Sequence, residues 1–200
     1  MPRQPLKKLV SRTLVLPQAN IDTDQIIPAR FLTVTSRDGL GRCAFADWRA
    51  KGAPEGAPLE APGAKECQVL VAGPNFGCGS SREHAVWALA DFGFSAVISS
   101  KLADIFRRNA LGNGLLAFEV DPETHRQLLE APGVAVEIDL ERAVLSFGGR
   151  EVPFPIEGFA RHCLLEGVDE LEYLLAQQNE IQAHENRYPL PELRLEELAR

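Results

Sequence analysis

Between residues 68 and 120 the chain alternates short runs rich in Val, Ile, Leu or Phe with longer helical segments. No other feature limits the possible folds as much. Apolar runs at 68–72, 95–99 and 115–120 are bounded by Gly, Pro or polar residues, which is the mark of short buried strands. Helix signals at 81–91 and 102–110 fall between them. Strand, helix, strand, helix, strand in that order predicts an α/β fold built on a parallel βαβ layer. Further strand signals lie at 12–17, 134–139 and 143–147, the last two joined through Asp139-Leu-Glu-Arg as an appended hairpin. Later helices are expected at 157–166 and 170–183. In the second of these Leu171, Leu174, Leu175 and Ile181 share a stripe, and Asp169-x-x-Glu172 offers a cap.

A chain of 200 residues suits one domain with a substantial core, here spanning 1–200. The segment GAPEGAPLEAPGA has no periodicity and reads as a mobile surface loop at about 50–64, and a C-terminal helix is expected at about 169–186. A net charge of −7 argues against a nucleic-acid or anionic-membrane partner. An anionic substrate would have to be held by local arginines and helix dipoles against that field. No apolar run reaches the roughly 18 residues of a membrane span, and none of signal-peptide length follows the basic N-terminus. A cytoplasmic protein is the expectation. Cys43, Cys67, Cys78 and Cys163 fall in no metal-ligand spacing, so no metal site is expected on this chain.

The stretch GCGSSREH, residues 77–84, holds the chemistry. Gly77 and Gly79 allow backbone angles closed to other residues, and they precede a helix whose free N–H groups and positive dipole end attract anions. Arg82 adds a planar fork that takes a carboxylate bidentately. Structure alone could also explain the pattern, because Ser80-x-x-Glu83 is a capping-box spacing with Ser80 as N-cap. His84 reads as a hydrogen-bonded structural residue. Other templates fit worse: the order is not G-x-S-x-G, no Gly-Lys-Ser/Thr ending is present, and no third glycine completes G-x-G-x-x-G.

At these residues a resemblance becomes specific. NFGCGSSREHAVWAL (75–89) is similar to the signature of the aconitase superfamily's swivelling domain, and in detail to the small subunits of the 3-isopropylmalate dehydratases. ANIDTDQIIPARFL (19–32), CAFADWR (43–49), ISSKLADIFRRNALGNGLL (98–116) and FARHCLLEGVDELEYLL (159–175) resemble the same family in order and spacing. The fold this implies is a three-layer β/β/α swivelling domain. The activity it implies is a hydro-lyase reaction that interconverts 2- and 3-isopropylmalate in leucine biosynthesis, by loss and return of water. The resemblance also implies a [4Fe–4S] cluster carried by a separate large subunit, with none bound by this chain. A small-molecule 2-hydroxy dicarboxylic acid would be the substrate, and the chain alone would be inactive.

Residue by residue, Ser80 matches the family's catalytic serine, whose oxygen takes a proton from the substrate's acidic C–H. Ser81 and Arg82 match positions that hold the substrate carboxylate. Asp22, Thr23 and Asp24 match an active-site rim, although Asn20–Asp24 taken alone reads as an Asx-type turn. Arg30 is either a carboxylate contact or an ordinary exposed charge. The segment 31–48 is expected to cover the variable end of the substrate. Arg107 and Arg108 read as cations closing a helix C-terminus, Lys101 as a solvated charge, and His162 and Cys163 as packing residues. Nothing in the sequence marks Cys78 as a reactive thiolate. Readings that stay open are a related hydro-lyase acting on homoaconitate or a methylmalate/citraconate pair, and a non-catalytic anion-binding module. A serine hydrolase is more distant.

Overall fold

In the computed structural model, residues 4–50 and 52–188 are described. The strands are β1 (Lys8–Leu16), β2 (Val69–Ala72), β3 (Ala96–Ser99), β4 (Leu116–Glu119), β5 (Ala135–Asp139), β6 (Val144–Phe147) and β7 (Arg150–Pro153). The helices are α1 (Thr23–Ile26), α2 (Ala46–Ala50), α3 (Ala57–Glu60), α4 (Glu83–Phe92), α5 (Asp104–Gly112), α6 (Pro122–Glu130), α7 (Gly158–Glu166), α8 (Glu170–Ala176) and α9 (Gln178–Arg187).

All seven strands form one sheet, in the order β4-β3-β2-β1-β5-β6-β7. β1 to β4 run parallel to their neighbours, with registers such as Leu14↔Leu70 and Val97↔Ala117. β1 also pairs antiparallel with β5, which leads into the β5-β6-β7 meander. β1 is therefore the seam between a parallel and an antiparallel half.

Side-chain alternation along the parallel strands builds two cores. Leu14, Leu16, Leu70, Ala72, Val97 and Ala117 point to one face, where Ala85, Val86 and Leu89 of α4 and Phe106 and Ala110 of α5 cover them. Val15, Val69, Val71, Ile98, Leu116 and Phe118 point to the other. There they meet Val136, Ile138, Leu145 and Phe147 of the antiparallel half, with Leu128 of α6 and Leu164 of α7. The sheet must curl back on itself for these sets to share a core, which gives the β/β/α layering. Each such Val, Leu, Ile or Phe contributes about 1.5–3 kcal/mol on full burial, which is why β2 is apolar at every position and β3 at every position but Ser99.

The six expected strands are present within one to four residues at their ends. The appended hairpin is larger than expected, because β7 follows a two-residue Gly148-Gly149 turn with φ of 53° and 76°. α6 was also unforeseen; Asp121 caps it through bonds from the Glu123 and Thr124 N–H groups, with Pro122 next. The expected last helix breaks at Gln177 into α8 and α9. Segment 52–64 is not structureless: it carries α3 and short 3₁₀ turns, and it places Leu59 and Ala64 in the core under α4. The resulting frame puts the β1–α1 and β2–α4 connections side by side at the carboxyl ends of the parallel strands, where α/β folds bind ligands.

Candidate active site

Two loops are laced together to make the site. The loop after β1 and the loop after β2 form a parallel bridge at Asp22 and Cys78. The Gly77 N–H donates to the Ile21 carbonyl at 2.7 Å, and the Thr23 N–H donates to the Cys78 carbonyl at 2.9 Å. Thr23, 2% exposed, then donates its hydroxyl to the Ser80 carbonyl at 2.9 Å. On the other side Phe76 bridges to Leu102, and its carbonyl accepts from the Ala103 N–H, which draws in the start of α5. Gly77 has no room for a side chain: at φ 74°, a Cβ would lie 2.2 Å from the Phe106 ring carbon Cγ.

The outcome is a cleft of about 250 Å³ lined by Thr23, Gly79, Ser80, Ser81, Arg82 and Asn109, among others. Ser80 and Ser81 are exposed into it. The structure corrects one expectation here. α4 begins at Glu83 with Arg82 as its N-cap residue, and no side chain caps it. Ser80 lies two residues too early, so the Ser80-x-x-Glu83 capping box does not form. No side chain caps α4, whose first residue, Glu83, follows Ser80, Ser81 and Arg82 directly in the chain.

Arg82 makes a bidentate ion pair with Asp24, with Nη2 to Oδ2 at 2.9 Å and a second, shorter contact between Nη1 and Oδ1. The Arg82 side chain is only 15% exposed and that of Asp24 54%. Asp22 is occupied locally: it caps α1, accepting from the Gln25 N–H at 2.7 Å, while the Gln25 side chain returns to the Asp22 N–H. The Asx-turn reading of this segment thus becomes a capped single-turn helix. Asp24, Thr23, Ser80, Ser81 and Arg82 form one constellation. Arg30 stands apart from the cleft lining; it pairs with Asp47 at 2.7 Å and lies over the Phe31 ring at 4.6 Å.

Asn109 was missed by sequence reasoning. Its Nδ2 reaches the Ser81 hydroxyl at 3.4 Å from the middle of α5. Arg107 and Arg108 sit mid-helix, not at a C-terminus, since α5 runs on to Gly112. His84 accepts the structural role expected of it: its ring Nε2 bonds the Val34 carbonyl at 2.8 Å, and it packs on Trp87. Arg37 covers the other partner ring, 5.0 Å from the Trp87 centroid, so α4 holds the 33–38 loop near the site. The Cys78 thiol is pushed up by burial and by the Asp22 charge, the opposite of a reactive thiolate.

These loops also set the chain among known proteins. A model of the aconitase C-terminal domain matches residues 3–123. A 3-isopropylmalate dehydratase small subunit from Anaeromyxobacter dehalogenans is 55% identical over 188 residues, covering 91% of this chain and 97% of that one. The chain belongs to the 3-isopropylmalate dehydratase small-subunit branch of the aconitase C-terminal domain family. A small subunit from Herpetosiphon aurantiacus is 51% identical over 91% of this chain and 93% of its own. The crystal structure of 3-isopropylmalate dehydratase from Methanocaldococcus jannaschii has a TM-score of 0.67 at 31% identity, covering 89% of this chain and 99% of that one. A small-subunit family implies a large-subunit partner.

Members of the aconitase family suggest an iron–sulfur cluster, so this chain's donors were tested for one. Cys43 is buried in the 3₁₀ turn at 41–43 and Cys163 in α7, while Cys67 is half-buried with its thiol toward the Gly63 carbonyl. Among the described residues no three His, Cys, Asp or Glu side chains converge to hold a metal. The described donors do not fit a cluster.

Proposed function

We propose that this chain supplies the acid–base half of a 3-isopropylmalate dehydratase, interconverting 2- and 3-isopropylmalate in leucine biosynthesis as the small subunit of a two-chain enzyme. Its relatives carry that name over nearly their whole length. The same proposal assigns the cluster to the large subunit and the reaction to the cytoplasm; no described helix is long and apolar enough to cross a membrane.

The observation that carries the assignment of Ser80 is the uncapped start of α4 beside it. Ser80, as its alkoxide, takes the proton from the carbon next to the one that loses the hydroxyl and becomes a neutral hydroxyl. On rehydration the water oxygen adds to the carbon that lost the proton, and a proton goes to the carbon that lost the hydroxyl. A serine is a weak base by itself. It serves where preorganised N–H donors and a nearby guanidinium stabilise the alkoxide that accepts the proton, in a site closed to water. The uncapped start of α4 and the positive end of its dipole supply the first. Arg82 supplies the second.

Arg82 also binds the substrate carboxylate in this reading. Its present partner, Asp24, already presents a carboxylate to both terminal nitrogens, so the fork is set for that geometry. Asp24, with a side chain 54% exposed, can turn into solvent or share the guanidinium when a substrate carboxylate arrives. Ser81, steadied by Asn109, holds the same carboxylate through its hydroxyl. Asp22 and Thr23 keep the rim in register with the Ser80 loop. Arg30 acts from the edge, through the 31–48 segment that surrounds the variable end of the substrate.

Replacement of Ser80 by Ala tests this. Assembled with its large subunit, the variant should lose about 10²–10⁴ in turnover, with assembly and melting temperature unchanged. Turnover within tenfold of the parent would remove Ser80 from the proton transfer. The chain alone should not interconvert the two isopropylmalates.

A further inference from the structure

α8 and α9 contain no buried residue, yet they carry Leu171, Leu174, Leu175 and Ile181 at 64%, 53%, 59% and 41% exposure. The helix is not loosely attached. Tyr173 packs edge-on against Phe159 of α7 at 5.0 Å and against His162 at 5.6 Å. At 100° per residue, Tyr173 lies about 160–200° around the helix from Leu171 and Leu175. The aromatic contact that anchors α8 to α7 therefore turns its leucines outward. An i, i+3, i+4 set of exposed leucines is the pattern of a helix laid into another protein's groove.

The same surface runs to the Ser80 cleft. A cavity of about 590 Å³ lies between α5 and α7, with Leu111, Ile156, Phe159 and Cys163 among its lining, Arg107 and Arg108 offset by Asp104 and Glu157, and Glu170 from the first turn of α8. Asp104 also lines the Ser80 cleft. Ile105, 55% exposed, belongs to that cleft as well. A protein that closes the cleft over Ser80 meets the α5 edge and, next to it, this cavity and the α8 stripe.

Charge decides between occupants. Residues 169–188 hold Asp169, Glu170, Glu172, Glu180 and Glu185 against Arg187 alone among Lys and Arg. Two copies of such a helix repel one another. A groove with an apolar floor and basic rim complements it.

We propose that α8, with the α5–α7 cavity beside it, is the docking surface for the large subunit, which offers an apolar groove rimmed by Lys and Arg. This rests on the functional reading above, in which a second chain completes the Ser80 site. The stripe positions the partner. It takes no part in the chemistry.

The test is L171E/L175E, with Tyr173 and the Ser80 loop untouched. Both positions are exposed, so circular dichroism and melting temperature of the isolated chain should match the parent. Affinity for the purified large subunit should fall at least ~30-fold by titration calorimetry. Turnover should fall at low subunit concentration and recover as the large subunit is raised to excess, a recovery S80A cannot make. Affinity equal to the parent's would overturn the proposal. In that event, loss of self-association would assign the stripe to a second copy, and new protease cleavage within 189–200 would assign it to the chain's own C-terminal segment. If the parent chain itself fails to bind the large subunit, the two-chain reading falls, and the stripe with it.

Discussion

Gly77→Ala is the most discriminating single substitution in the site. Two separate costs arise. The first is conformational: φ of 74° is left-handed, which costs an L residue about 1–2 kcal/mol. The second is steric. The new Cβ would fall 2.2 Å from Cγ, 2.6 Å from Cβ and 2.7 Å from Cδ2 of Phe106. Phe106 cannot simply swing away, because it is 3% exposed and held edge-on against Phe76 at 5.2 Å. Overpacking of this kind costs about 1–3 kcal/mol as α5 shifts outward. Gly39→Ala isolates the first cost, since Gly39 has φ 81° and nothing within 4 Å of its added Cβ.

The expected result is therefore a difference. Both variants are destabilised, and Gly77→Ala should melt roughly 2–12 °C below Gly39→Ala, given a steric cost of about 1–3 kcal/mol and about 2–4 °C per kcal/mol at this size. Differential scanning calorimetry on the isolated chain measures it. Because the shift moves Asn109 and the Ser80 loop apart, the assembled enzyme should also lose turnover in Gly77→Ala alone. Equal melting temperatures for the two variants would refute the close-approach argument.

Further outcomes follow from the same geometry. Thr23→Val keeps shape but removes the hydroxyl that holds the Ser80 carbonyl; stability should fall by about 1 kcal/mol, while turnover falls out of proportion, by roughly tenfold or more, as the nucleus of the site drifts. An unchanged kcat in a steady-state assay would show that Thr23 does not position Ser80. Leu59→Ala should cost about 2–5 kcal/mol in urea denaturation, because Leu59 is 3% exposed within the α4 core. A cost below about 0.5 kcal/mol would mean segment 52–64 is not anchored. Burial holds the His125 imidazole below its ordinary 6.5, only partly offset by its 2.8 Å bond to the Ala72 carbonyl. The unfolded chain then binds a proton that the folded chain does not, so stability falls as pH drops below about 6.5 and levels off beneath the lowered value. His125→Gln should flatten that part of the stability–pH curve; an unaltered slope would place its origin elsewhere.

The parallel core was readable because buried strands leave a local trace. A run such as Val69–Ala72 is apolar at every position, and a helix such as α4 shows its stripe within ten residues. β7 left a weaker trace. Its REVP sequence is polar and edge-lying, and only the Gly148-Gly149 turn announces it. α6 was announced by Asp121-Pro122, a cap and a first-turn proline, with few apolar residues behind them. The Pro-rich segment 52–64 misled in the other direction: Leu59 gives no periodicity by itself, and only the floor it fills reveals its role.

Within the site, GCGSSREH and the 19–32 motif pointed to Ser80, Ser81, Arg82 and Asp24 from residue types and family likeness. The local cap reading failed by two residues, because a helix start is set by backbone hydrogen bonding that side-chain spacing only suggests. Asn109 was invisible, since a lone Asn in a helix carries no signal until packing brings it to Ser81.

By itself the sequence determined the parallel βαβ order, the glycine-bearing loop, and residue types suited to an anion, because each is encoded within a few residues. Tertiary structure alone decided that the β1 and β2 loops are laced through Thr23 and Ser80, that Arg82 meets Asp24 across 58 positions of chain, and that α8 turns its leucines outward. These depend on the curl of one sheet, which brings distant segments together with registers that no local pattern specifies.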